Sequence, residues 1–240
     1  FDGVEGLSGS RFSDILRGSE EDATDIDANG TINGALTNIA LYGGLQEVID
    51  VLLGPGTTRF AAGNIVLGGG GSDLLEGRGG DDLIDGDRSL NVRVSVRENA
   101  DGTGAEIATF ESITELVPFM LAGTYNPGQL VIVREVLNDQ PPGFDTALFR
   151  GHRSEYDVIV DGGLDGVAGT ADDIVTVIDN VPLRDGVDRL VNVERLQFTD
   201  VSETLVLLDE NGNLLNNDPI GQPTIDDDTP QVGQVITASV

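Results

Sequence analysis

Two acidic residues nine positions apart, Asp73 and Asp82, each close a glycine-rich run. The runs are Gly68-Gly69-Gly70-Gly71-Ser72-Asp73 and Gly77-Arg78-Gly79-Gly80-Asp81-Asp82. Glycine recurs at positions one and four, Asp at six, and an aliphatic residue, Leu75 or Ile84, at eight. Glycine lets the backbone turn left-handed and direct its carbonyls inward. The Asp adds a carboxylate. An all-oxygen donor set of this kind suits calcium better than magnesium or a transition metal.

A spacing of nine has a geometric consequence. Six loop residues and three strand residues make one half-turn, so loops eighteen apart stack on the same edge. The phase extends to Asn64 on one side and Asn91 on the other. It therefore predicts that the Asn64 loop stacks on the Asp82 loop, and the Asp73 loop on the Asn91 loop. A degenerate copy, in which Asp14 and Leu16 repeat the phase of Glu5 and Leu7, lies at the start. The candidate metal ligands are Asp73, Asp82, Asn64, Asn91 and Asp14, with the backbone at Gly68, Gly70, Gly77 and Gly79. The mixed Asn/Asp partners are expected to weaken the sites, and position eight to fill a thin core between two strand layers.

The elements that position these loops are mostly strands. The expected fold class is mainly β with a few short helices: a parallel roll of half-turns plus an antiparallel β-rich module. Residues 1–95 are read as the roll, with a partly helical insertion at about 19–58 that Gly54-Pro55-Gly56 stops. Residues 96–143 are read as a mixed helical connector. Within it Ser112 and Glu115 cap one helix, and Asn126-Pro127 open a second through Leu137. Residues 144–210 read as β-rich, and 211–240 as a linker followed by strands resembling the start of an immunoglobulin-like repeat.

Composition narrows the partners. Asp and Glu number 42 against 13 cations, for a net charge of −29. Every cation is Arg. Such a balance excludes nucleic acid as a partner and favours cations, because divalent ions relieve repulsion between close carboxylates. The bland alternative, a solvated acidic surface, covers most of the acids but not those at fixed spacing. There is no Cys, and His152 stands alone, so thiolate and zinc sites are not expected. No apolar run reaches membrane-spanning length, so membrane insertion is not expected. The missing Lys excludes a phosphate-cradling Walker loop at Gly68–Gly71.

Two weaker constellations remain open. Asp25, Asp27 and Asn29 match the opening of an EF-hand loop, but Leu36 stands where the twelfth-position acid belongs. A polar turn before a helix and a partial calcium loop both fit. Asp165 and Asp172, with Asp161 and Asp173, ring a glycine-rich connection that reads either as a solvated hairpin loop or as a further calcium site.

Residues 68–85 resemble the RTX nonapeptide of secreted bacterial toxins, proteases and adhesins. The resemblance implies a parallel β-roll, type I secretion, a secreted or cell-surface location, and folding driven by extracellular calcium. Arg78 at position two departs from the pattern, as do Asn64 and Asn91 at position six. A wider resemblance touches Phe1–Phe12, Gly123–Leu130, Asp185–Leu190 and Glu194–Phe198. These stretches look similar to the region that follows the catalytic domain in bacterial animal-type haem peroxidases, and the last motif also occurs in large repeat adhesins. The expected function is a calcium-binding, non-enzymatic structural segment whose partners are calcium ions and neighbouring domains of the same chain. The alternatives are an accessory C-terminal region of a secreted haem peroxidase and a carbohydrate-active β-helix enzyme. The low aromatic content, with no Trp, disfavours the second.

Overall fold

The computed structural model describes residues 6–26, 35–162 and 173–205, together with two short strands at 224–225 and 238–239. The chain is mainly β. Its strands are β1 (Gly6–Ser8), β2 (Ile15–Arg17), β3 (Ile65–Leu67), β4 (Leu74–Glu76), β5 (Leu83–Asp85), β6 (Ser89–Arg97), β7 (Glu106–Phe110), β8 (Leu130–Leu137), β9 (Thr146–Leu148), β10 (Tyr156–Asp161), β11 (Ile174–Asp179), β12 (Val187–Val191), β13 (Arg195–Gln197) and β14 (Ser202–Thr204). β15 (Thr224–Ile225) and β16 (Ala238–Ser239) pair antiparallel. The helices are α1 (Ala23–Ile26), α2 (Leu45–Leu53) and α3 (Ile113–Leu121).

The chain alternates between two sheets. One runs β1-β3-β5-β12-β11-β10 and the other β2-β4-β9-β13-β14. The first four strands of the first sheet pair parallel, as do β2, β4, β9 and β13 of the second. The remaining pairings in these two sheets are antiparallel. Each short strand has one central residue facing the other sheet. Val66, Ile84 and Leu190 meet Leu75, Ala147 and Leu196 in one core, all essentially without solvent exposure. Position eight of the nine-residue frame therefore does fill the space between the layers. An aromatic trio closes this core: Phe149, Tyr156 and Phe198, with ring centroids 5.1–5.5 Å apart.

The flanking residues Ile65 and Leu67 of β3 and Leu83 of β5 face the other way and are nonetheless buried. The reason is α2, whose Leu45, Val48, Ile49 and Leu52 form one apolar stripe packed with Ile65, Leu67, Leu83 and Val191. Gly44, at φ 76°, starts this helix, and Gly54 ends it by donating its N–H to Asp50 O. The insertion is thus helical where its spacing predicts, and it covers the outer face of the first sheet.

Residues 88–142 build a separate layer. β7, β6 and β8 form an antiparallel sheet under α3, around Val94, Val96 and Leu116. The Ser112 cap is present, accepting from Glu115 N at 3.4 Å. The helix expected from Asn126 to Leu137 is not. Asn126 caps a single 3-10 turn, Pro127–Gln129, and Leu130–Leu137 is then a strand against β6. The run Leu130-Val131-Ile132-Val133 is rich in β-branched residues, which favour the pleated surface and override the cap.

The sequence boundaries at 95 and 144 do not separate the sheets. β6 crosses 95, and β9, β12 and β13 continue the parallel stacks begun by residues 6–85. Among the described residues of the region 144–205, only β10, β11 and β14 are antiparallel additions. Most of the expected linker and immunoglobulin-like start at 211–240 lies outside the described residues. Among the described residues no helix is long and apolar enough to cross a membrane.

Candidate cation-binding edges

Every crossing between the two sheets brings a residue in the sixth position to one of two edges. Along the first edge stand Asp14, Asp73, Asp145 and Glu194. Each is tied to the next turn through its backbone. Asp14 N–H donates to Asp73 Oδ1 (2.7 Å), Asp73 N–H to Asp145 Oδ1 (2.7 Å), and Asp145 N–H to Glu194 Oε2 (2.6 Å). Along the second edge stand Asn64, Asp82 and Asp188. Ser19 N–H donates to Asn64 Oδ1 (2.6 Å), Asn64 N–H to Asp82 Oδ1 (2.5 Å), and Asp82 N–H to Asp188 Oδ1 (3.0 Å).

This ladder occupies one oxygen of each interior carboxylate. The other is bare. Asp73, Asp82 and Asp145 are wholly buried, and their Oδ2 atoms have no hydrogen-bond partner. An unsatisfied buried carboxylate oxygen is expensive, because it has lost water and gained nothing. Burial accordingly pushes the Asp73 carboxyl up to about 6. It pushes Asp145 up to about 8, with the charges of Glu194, Asp73 and Asp87 adding to the effect. Burial also raises Asp82, with the charges of Asp81 and Asp185 adding to the effect, and holds Asp188 well above the ordinary carboxylate range, with the charge of Asp82 adding to it.

The bare oxygens lie beside the first-position glycines. A Cβ built on Gly68 would stand 2.7 Å from Asp73 Oδ2 and 2.3 Å from Gly86 O of the adjacent turn. One on Gly77 would stand 2.1 Å from Asp82 Oδ2. One on Gly86 would stand 2.4 Å from Asp145 Oδ2 and 1.8 Å from Asn192 O. Glycine at position one is therefore required, because carboxylate and carbonyl oxygens approach its backbone more closely than any side chain would allow. At position four Gly71 and Gly80 take φ 105° and 98°, a region only glycine enters freely. Arg78, at position two, is held at φ 75° where its counterpart Gly69 takes 97°.

These donors fit a hard cation. They are all oxygen, one carboxylate per half-turn with carbonyls beside it. Among the described residues no three acidic or imidazole side chains converge on one point. Carboxylates alone thus do not complete a coordination shell here.

The structure brings Asn64 and Asp82 together as the eighteen-residue spacing predicts. It does not bring Asp73 to Asn91. Asn91 lies in β6 opposite Glu135, outside both edges, and Asp145 takes the place above Asp73. The nine-residue frame breaks at Asp87 and resumes at Gly143. A Cβ on Gly143 would collide with Gly71 O, and Phe144 N–H donates to Ser72 Oγ (3.0 Å), so position four sits on position four and five on five. The same resumption occurs at Gly186, whose Cβ would stand 2.0 Å from Gly80 O, followed by Val187 N–H donating to Asp81 Oδ1 (3.0 Å). Asp145, Asp188 and Glu194 were therefore missed by a reading in fixed blocks of nine. A shorter signal carries two of them: Gly-x-Asp-x-aliphatic recurs at Gly71–Leu75, Gly80–Ile84, Gly143–Ala147 and Gly186–Leu190.

Asp14, at the outer end of the first edge, is satisfied differently, its Oδ2 accepting from Ser10 N and Ser10 Oγ (2.7 and 2.9 Å). Gly70 and Gly79 pack against neighbouring turns, their N–H groups donating to Ser10 O and Ser19 O. Asp25 falls in α1, while Asp27, Asn29, Asp165 and Asp172 lie outside the described residues. Leu36, at the twelfth position of the EF-hand-like run, is buried in the core under α2. Comparisons of the chain with protein-family models, curated proteins and solved structures return no match.

Proposed function

We propose that this chain is a calcium-binding structural segment of a secreted bacterial protein of the RTX type, a parallel β-roll that orders when its edge loops take up extracellular calcium. The observation that carries the reading is the pair of wholly buried, partnerless Oδ2 atoms of Asp73 and Asp82, each beside a first-position glycine. A carboxylate so placed must take a proton or meet a cation. The resemblance of residues 68–85 to the RTX nonapeptide and the all-oxygen surroundings favour the cation. The role is mechanical rather than catalytic: the ion joins successive turns and stiffens the stack.

Isothermal titration of the chelator-treated chain with calcium tests this. Binding with dissociation constants of roughly 0.1–1 mM is expected, as for other extracellular calcium modules. Asp73→Asn and Asp82→Asn should each remove one ion and keep the fold, because an amide Oδ1 still accepts the N–H of the adjacent turn, as Asn64 does from Ser19. A wild-type chain that binds no calcium at 10-fold above that range ends the proposal.

A further inference from the structure

We propose that the discontinuous loop made of Gly86–Asp87 and Gly143–Asp145 binds a divalent cation of its own, between Asp145 and the Asn192–Glu194 turn, and that this ion fastens the 88–142 insertion to the stack. The inference rests on the calcium reading above but concerns a site outside both continuous nonapeptides.

The donors come from three separate stretches of chain. Asp145 ends the loop after the insertion. Its Oδ1 accepts from Asp73 N, and its Oδ2 is buried without a partner. Asn192 supplies a carbonyl on the adjacent turn. Both oxygens lie within 2.4 Å of the point a Gly86 Cβ would occupy, so the absence of a side chain at Gly86 is what lets the two approach the same backbone position. Asn192 holds φ 53°, a left-handed conformation that a side chain rarely takes, and its amide is anchored on Asp85 Oδ1 at 2.9 Å. The turn is thus held with its carbonyl toward Gly86.

Asp87 is the second carboxylate at this place, and no continuous nonapeptide has its equivalent; Gly69 and Arg78 stand at that position in the other two. It accepts from Gly143 N at 3.4 Å, bridging the two ends of the insertion. It also sits within the field of Glu194, Asp85 and Asp73. Glu194 is buried and directed at Asp145 N. The Arg88 guanidinium is placed on Asp85 at 3.3 Å, and Arg195 Nε is turned to Thr146 Oγ1. Negative charge at the insertion base therefore exceeds what the local arginines offset, and a divalent ion corrects the imbalance. Because Asp87 and Asp145 lie on opposite ends of the insertion, an ion held between them closes its base.

Calcium stoichiometry and tryptic cleavage after Arg88, measured on the full chain, test the site. In the wild type, calcium should slow cleavage at Arg88 at least tenfold relative to chelator. Asp145→Asn should bind one ion fewer and lose that protection, while Asp82→Asn also loses an ion but keeps it. Asp87→Asn, a milder change at a half-buried position outside the ladder, should weaken the same ion about tenfold, and it decides the matter if Asp145→Asn does not fold. Unchanged stoichiometry, affinity and Arg88 protection in Asp87→Asn and Asp145→Asn overturn this site and leave the calcium reading intact. A wild type that binds no ion overturns both.

Discussion

A buried carboxylate with one oxygen hydrogen-bonded and the other bare lowers its energy by taking a proton or a cation, and the two compete. This competition sets the pH behaviour. For Asp73, pushed up to about 6, and Asp145, pushed up to about 8, the folded value lies above the unfolded value of 3.8. The metal-free fold then holds these protons more tightly than the unfolded chain does. Their contribution to stability is complete below about pH 4 and is lost as pH rises through 6 and 8. Asp179 and Glu106, held below the ordinary range by Arg184 and Arg93, act only at still lower pH. In chelator the melting temperature should therefore fall between pH 5 and 8.5. With saturating calcium the slope should flatten or reverse, since the ion displaces the proton. A metal-free melting temperature that climbs across that interval contradicts the account of these oxygens.

At the scale of elements, the insertions interrupt loops and spare strands. The first leaves after Gly18-Ser19 and returns at Ala62-Gly63-Asn64. The second leaves after Gly86-Asp87 and returns at Gly143. Excising 88–142 and joining Asp87 to Gly143 through one glycine restores a loop of six residues. The expected product folds with the parallel stacks intact and melts cooperatively at a lower temperature. The loss comes from Val136 under α2 and from the Gly43 bonds to Arg134 and Val136. An unfolded product by circular dichroism, in calcium, means the insertion is integral to the stack. The same interruptions explain what the sequence discloses. Residues 64–85 are legible because three half-turns run without a break, and so Leu75, Ile84 and the Asn64–Asp82 pairing can be read directly. Asp145, Asp188 and Glu194 are not, because 55 or so intervening residues destroy the phase that a period of nine depends on. Asn91 fails for the converse reason: it keeps the count while the chain has already left the edge for β6. The strand at 130–137 fails because a good cap, Asn126, serves only one turn before β-branched residues take over.

The whole molecule carries a charge of −29, and two kinds of cation effect must be told apart. Surface carboxylates repel across solvent, and simple salt screens them over about 10 Å at 0.1 M. The edge carboxylates are buried, where screening is weak and only a bound proton or an inserted ion relieves them. Each site with a dissociation constant of roughly 0.1–1 mM adds about 0.4–1.4 kcal/mol at 1 mM calcium by mass action. Two or three such sites amount to about 1–4 kcal/mol, which for a chain of this size raises the melting temperature by roughly 2–16 °C. One millimolar calcium should then outperform one millimolar magnesium, whose demand for near-ideal octahedral geometry and slow dehydration ill suit carbonyl-lined loops. Sodium chloride at matched ionic strength should do almost nothing beyond its screening of the surface. Were magnesium or sodium to reproduce the calcium shift, the ions would be acting on the acidic exterior, and the buried edges would need another explanation.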